Sequence, residues 1–237
     1  MRAIIDGDII AFLASCVEPD DFPAAKQRAI DIVEDVIQSV FTTRDQTIMY
    51  VKGDGNFRMH YDDYKSNRGD SQRPDTLEDV RTFLGETYGE FAHGAEADDY
   101  CTIEAQRCLD AGIPYVICGI DKDLKQMPGL HANVRTGEII KVTEEEGYQF
   151  LLQQCLTGDS VDGIEGLKGI GPKKSIKILE ENANNREEAI ALKYIQYYGD
   201  DAYHYLKKCY NLVYMRRRAE DLEILELPET FNLMRRS

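Results

Sequence analysis

The sequence predicts an α/β fold built on a mainly parallel sheet with helices around it. Short runs rich in isoleucine and valine alternate with segments of helical apolar spacing, the order expected of β-α-β crossovers. Acidic residues recur just past the ends of these runs, at Asp6, Asp98 and Asp121. A glycine-rich basic turn at residues 166–174 then opens a helical C-terminal region.

Residues 2–5 form the first apolar run, ended by Asp6-Gly7-Asp8, and residues 9–15 resume with helical spacing. Ile30, Val33, Val36, Ile37 and Val40 make the apolar stripe of a second helix over 23–41, and residues 47–51 a second strand. Residues 53–74 have no apolar period but carry tyrosines and the cations Arg58, Lys65, Arg68 and Arg73, a composition and length more often functional than structural. Asp75 or Thr76 caps a helix to about residue 88, a short strand follows at 90–92, and residues 97–111 form a helix opened by Glu96, Asp98 and Asp99. The run at 115–118 is a further strand and 134–142 a hairpin around Thr136-Gly137. Thr143 and Glu146 have capping-box spacing for a helix to residue 156, and residues 186–198 and 202–215 are helical. The expected division is residues 1–157 as one domain and 158–237 as a helical region.

At 237 residues with 43% hydrophobic content the chain can bury a substantial core. No run of about 18 apolar residues occurs and the first residues, MRAIIDGDII, do not resemble a signal peptide, so a cytoplasmic protein without membrane association is expected. The six cysteines lack CxxC spacing and read as reduced core thiols. A net charge of −15 speaks against nucleic acid as partner only if the charges are spread evenly; carboxylates gathered on cations change that balance.

In a parallel sheet the strands' C-terminal ends lie on one edge, where ligands bind. Asp6, Glu96, Asp98, Asp99, Asp121, Asp123, Asp159 and Asp162 all follow strands or open helices that this edge would gather. Each station alone has a plain structural explanation as a turn, a cap or a helix N-terminal acid. Oxygen donors without histidine or cysteine select Mg²⁺ or Mn²⁺, and two such ions suit in-line displacement at phosphorus. In GIGPKK, Gly169 and Gly171 leave backbone open and Pro172 fits a first helical turn. The amides there, with Lys173 and Lys174, can face a phosphate; a simple helical corner is the alternative.

On these residues the chain resembles the 5′-nuclease family of flap endonucleases and 5′→3′ exonucleases, in a small form like a phage-encoded or stand-alone member. The matching stretches are IIDGD at 4–8, FRMHYDDYKSNR at 57–68, GAEADD at 94–99, GIDKDLKQ at 119–126 and GDSVDGIEGLKGIGPKKS at 158–175. The resemblance implies a PIN-like sheet, a helix–three-turn–helix at the glycine turn and an arch or clamp over about residues 53–75. It implies that the eight acids named above bind two Mg²⁺ ions, with Mn²⁺ as substitute, and that Arg58, Lys65 and Arg68 lie near the scissile phosphate. Tyr64 would stack on a base, and Gly169, Gly171, Lys173 and Lys174 would hold duplex phosphate, in the family often with K⁺. The implied partner is DNA with a 5′ end or flap, bound by a monomer working among replication or repair proteins, with RNA primers in RNA–DNA hybrids left open as substrates.

The family usually carries an aspartate at the end of the second strand, and that place here is Val51, with Asp54 three residues on as the candidate substitute from a different backbone position. Two other readings remain beside the nuclease: a non-catalytic DNA-binding module of the same fold, and a small-molecule phosphohydrolase.

Overall fold

A computed structural model describes residues 1–62, 64–66 and 73–231. The described chain divides into two compact units, which differ from a split at residue 157. The first comprises Met1–Phe57, Asp70–Glu144 and Met215–Leu222; the second comprises Arg58–Gly69, Glu145–Tyr214 and Glu223–Ser237, each as far as described. The 58–66 segment and the helix before residue 158 therefore belong with the glycine-rich region, and residues 215–222 return to the first unit.

The first unit holds β1 (Arg2–Asp6), α1 (Gly7–Val17), α2 (Phe22–Ser39), β2 (Thr47–Lys52), α3 (Leu77–Tyr88), β3 (Glu90–Ala92), α4 (Ala97–Asp110), β4 (Tyr115–Gly119), β5 (Gly129–Asn133) and β6 (Ile139–Val142). Its sheet runs β3-β2-β1-β4-β5-β6, parallel except for β6. Strand alternation feeds two cores. Ala3, Ile5, Met49, Val51, Val116 and Cys118 face one way, into the core that contains residues of α1, α2 and α3. Ile4, Tyr50 and Ile117 face the other, into the core shared with α4. Burial on both faces explains why these strands read as continuous apolar runs. The expected hairpin exists, but its first strand is Gly129–Asn133 and its turn is closed by Asn133 Oδ1, which accepts the N–H groups of Arg135 and Thr136 at 2.9 and 3.0 Å.

The chain crosses from one side of β1 to the other between β3 and β4, so the β1/β4 boundary is the topological switch point, where open α/β sheets leave a crevice. Residues 215–222 tie down the elements on that side. The Met215 N–H donates to Gln126 Oε1 and the Arg217 guanidinium to the Gln126 carbonyl, at 3.0 and 2.6 Å.

The second unit contains α5 (Glu144–Thr157, apart from Glu144), a two-residue strand pair β7 (Gly158–Asp159) and β8 (Ile164–Glu165), α6 (Pro172–Glu181), α7 (Arg186–Tyr198) and α8 (Ala202–Val213). Leu152, Cys155, Leu156, Ile190, Tyr194 and Leu206 form its centre. Five cysteines of the chain are buried and only Cys16 is exposed. Among the described residues no helix is long and apolar enough to cross a membrane.

Candidate active site and phosphate grip

In the first unit the acids lie along the C-terminal edge of the parallel strands. Asp6 ends β1 and caps α1, its Oδ1 accepting the Asp8 N–H at 3.0 Å. The residue is 8% exposed. Across the switch point, Asp121 follows β4 and its Oδ1 accepts the Asp123 N–H at 2.8 Å, fixing the turn that carries both. A Cβ on Gly119 would lie 2.7 Å from Leu124 Cδ1 and in ordinary contact with Asp6 Cβ at 3.5 Å, so the two strand ends are close neighbours.

Burial, and then the charges of Asp8 and Asp121, push the Asp6 carboxyl up from 3.8 to about 7. The folded chain thus holds this proton more tightly than an unfolded one. Asp6's contribution to stability is fully present below about pH 4 and is lost as pH rises through about 7. A divalent cation held beside Asp6 would offset that loss. The expected result is that MgCl₂ or MnCl₂ raises the melting temperature more at pH 8 than at pH 5.5, and that Asp6→Asn abolishes this difference. Equal shifts at both pH values in the wild type would remove Asp6 from the metal site.

Asp8 has a different task. Its Oδ1 accepts from Arg81 Nε at 2.7 Å and from the Lys52 N–H at 3.0 Å, while Arg81 Nη1 also meets Glu78 at 2.5 Å. This half-hidden pair pins the end of β2 to α1 and α3. Sequence patterning singled out neither Arg81 nor its tie to Asp8; the Asp6-Gly7-Asp8 triplet was the only signal.

Asp54 stands in the turn after β2, where its carbonyl accepts the Gly94 N–H at 2.8 Å and its own N–H donates to His93 Nδ1 at 3.3 Å. That places it at the sheet edge beside the segment leading to Glu96 and Asp98. Val51 is instead fully buried on the opposite face of the sheet from Asp6. Position 51 is therefore not an empty ligand place, and Asp54 is the acid that β2 delivers to the edge.

Asp99 departs from expectation. It is fully buried, with Oδ2 accepting the Glu96 N–H at 3.3 Å and Oδ1 the Arg216 N–H at 3.0 Å, so it caps α4 and anchors the returning segment. Glu96 and Asp98 remain half-buried at the first turn of α4.

Among the described residues no three His, Cys, Asp or Glu side chains are drawn close enough to make a ready-formed metal cage. The donor set nevertheless fits a hard divalent cation. The acids offer oxygen alone, and Asp6 is a buried carboxylate whose main charged neighbours are two more carboxylates.

In the second unit, Gly158 and Gly166 bring the two ends of the Asp159/Asp162 loop together. Gly158 has φ +63°, and a Cβ on it would lie 2.2 Å from the Ile164 carbonyl oxygen; one on Gly166 would lie 2.4 Å from the Gly158 nitrogen. Asp159 is buried and its Oδ1 accepts the Val161 N–H at 2.9 Å. Lys65 docks on the same loop, its N–H donating to the Asp162 carbonyl at 2.7 Å and its Nζ 3.9 Å from Asp162 Oδ2. Its φ of +55° is the left-handed conformation that non-glycine residues adopt at a cost and that clusters at functional sites.

Gly169 and Gly171 meet no atom within 4 Å of an added Cβ, so their backbone is open, and Pro172 begins α6 with exposed Lys173 and Lys174 beside it. Two expected site residues are withdrawn from this surface. Tyr64 is 4% exposed within the core of the unit, so it stacks on no base. Arg58 is 2% exposed, with Nε donating to the Leu212 carbonyl and Nη2 to that of Tyr214, both at 3.1 Å; it ties the segment to the end of α8 rather than meeting phosphate. Arg68 lies outside the described residues.

No family model matches the chain. Among curated proteins it is 32% identical over 136 residues to DNA polymerase I of Rhizobium leguminosarum, covering 51% of this chain and 13% of that one. It is 29% identical over 136 residues to flap endonuclease Xni of Shewanella piezotolerans, covering 51% and 52%. The chain thus spans about half or less of the length of these relatives. Among solved structures, the T5 D15 protein co-crystallised with metal ions superposes with a TM-score of 0.73 over 93% of this chain and 95% of that one, at 20% identity.

Proposed function

We propose that this chain, a member of the 5′-nuclease family, is a structure-dependent 5′→3′ nuclease that hydrolyses DNA phosphodiester bonds at or near a 5′ end or flap, with Mg²⁺ as cofactor. The observation that carries this reading is the buried Asp6 beside Asp121 at the β1/β4 switch point, with Asp54, Glu96, Asp98 and Asp123 along the same edge. A carboxylate held this way is unfavourable without a cation.

In the first unit Asp6 and Asp121 would hold a metal, with Asp54, Glu96, Asp98 and Asp123 as further ligands; in the second unit Asp159 and Asp162 would be metal-binding acids. Mg²⁺, when bound, supplies a water of lowered pKa and Lewis-acid stabilisation of the leaving oxygen. The chain's own residues orient and balance charge. Lys65, fixed through its backbone to Asp162, would offset the negative charge that grows on the phosphoryl oxygens. The amides of Gly169, Gly171 and Lys173, with the side chains of Lys173 and Lys174, would grip duplex phosphates without reading bases.

The test is a 5′-end-labelled flap duplex incubated with Mg²⁺ and with EDTA, alongside binding measured across a salt series. Cutting is expected only with Mg²⁺, leaving 5′-phosphates, and the logarithm of affinity should fall linearly with that of salt concentration. A protein that binds the flap and never cuts it would be a binding module instead. Hydrolysis of small phosphate esters without flap binding would make it a phosphohydrolase.

A further inference from the structure

The end of α7 and the start of α8 carry tyrosines that the proposed grip does not use. Tyr198 stacks on Tyr205 with ring centroids 4.0 Å apart and planes 14° from parallel. Tyr194 stacks behind Tyr198 at 5.8 Å, and Tyr197 meets Tyr198 edge-on at 4.7 Å. The ladder starts in the core, where Tyr194 is 2% exposed, and ends at the surface, where Tyr197 is 50% and Tyr205 40% exposed. Gly199, at φ +59°, supplies the tight reversal that brings α8 back so that residues 198 and 205 face each other.

Tyr197 and Tyr198 line one wall of a groove of about 950 Å³, and the other wall is the glycine-rich turn itself, including Gly169 and Gly171. The groove's charged lining is sparse, Lys168 against Glu165. Tyr197 and Tyr198 bring no charge to the groove, so their wall does not suit a phosphate track. They suit neutral, flat, π-bearing groups adjoining one.

We propose that this tyrosine ladder is a stacking platform for unpaired nucleobases, taking a single strand that continues from duplex held at the glycine-rich turn. The inference rests on the nuclease reading for its partner and adds a second contact to it. Stacking on aromatic rings is tolerant of sequence because every base has a π face, and an exposed ring backed by a stacked ladder loses little freedom when a base joins it. The glycine turn grips phosphates, and Tyr197 and Tyr198, lining the same groove, hold bases.

The chain contains no tryptophan, so its emission comes from its 14 tyrosines, and the share of quenching lost in Tyr197→Leu reports stacking at that ring. The experiment uses the full chain in EDTA with two probes, a short oligo(dC) and a blunt hairpin duplex. Wild type is expected to bind both, with tyrosine emission quenched by oligo(dC). Tyr197→Leu should weaken oligo(dC) binding by about tenfold and Tyr197→Phe should retain it, as loss of a stacked base implies. Both variants should hold the hairpin as wild type does, and the salt slope of the remaining oligo(dC) binding should stay unchanged because no phosphate contact is removed. If Tyr197→Leu and Tyr205→Leu each bind oligo(dC) as tightly as wild type, the platform is wrong. If wild type holds the hairpin and not oligo(dC), the platform is wrong while the nuclease reading stands; binding of neither probe would overturn both.

Discussion

Asp121→Ala should lower the single-turnover cutting rate on a 5′-flap duplex by about a thousandfold, since a lost metal ligand forfeits several kcal/mol of transition-state stabilisation and each 1.36 kcal/mol is a factor of ten. Duplex binding should persist, because the open backbone at Gly169 and Gly171 and the side chains of Lys173 and Lys174 are untouched. The substitution is mild for the fold. Asp121 is exposed, and its one described structural duty is to accept the Asp123 N–H. Asp121→Asn keeps an oxygen acceptor for that bond while removing the charge, so it separates turn geometry from metal binding. Both variants should fail to cut and both should melt near wild type. A rate within about tenfold of wild type for Asp121→Ala would be too small for a lost metal ligand and would move the metal site elsewhere on the edge.

The parts of this architecture that sequence reasoning reached are those where local pattern and tertiary role coincide. β1 and β4 are buried on both faces, so Ala3-Ile4-Ile5 and Val116-Ile117-Cys118 read as strands without further context. Their parallel order then put Asp6 and Asp121 on one edge. The first strand of the hairpin was not legible, because Gly129-Leu130-His131-Ala132-Asn133 has no β-branched residue and opens with a glycine at φ +126°. Asp99, Arg58 and Tyr64 show a different limit. The same residue types serve as ligand, phosphate contact or stacking ring, and as buried cap, carbonyl tie or core. What decides between them is a partner far along the chain: the Arg216 N–H for Asp99, 117 residues away, and the Leu212 and Tyr214 carbonyls for Arg58. No spacing rule reports such partners.

Val51→Asp, the substitution that a motif comparison would suggest as a repair, should destabilise the protein rather than strengthen its metal site. The side chain of residue 51 is fully buried in the core beside α1 and α3. It is wedged where both helices come close on glycines: Val51 Cγ1 lies 2.6 Å from where a Cβ on Gly7 would be, and Cγ2 lies 2.8 Å from the corresponding point on Gly85. An ionised carboxylate there has no described cation to meet and loses its water, at a cost of several kcal/mol. Against a total stability of about 5–15 kcal/mol, that is a large share. A loss of about 5 kcal/mol corresponds to a melting temperature lower by roughly 10–20 °C for a chain of this size. The sign with pH follows from the cause. Burial favours the protonated form, so Val51→Asp should be least damaging below about pH 5 and progressively worse toward pH 8. Asp54→Ala is the contrasting variant. Asp54 is exposed and its described bonds run through its backbone, so the fold should keep its melting temperature while cutting at limiting Mg²⁺ falls. If Val51→Asp instead melted like wild type and cut faster at limiting Mg²⁺, strand β2 would have to present residue 51 on the Asp6 face, against the alternation that puts Met49 and Val51 on one side and Tyr50 on the other.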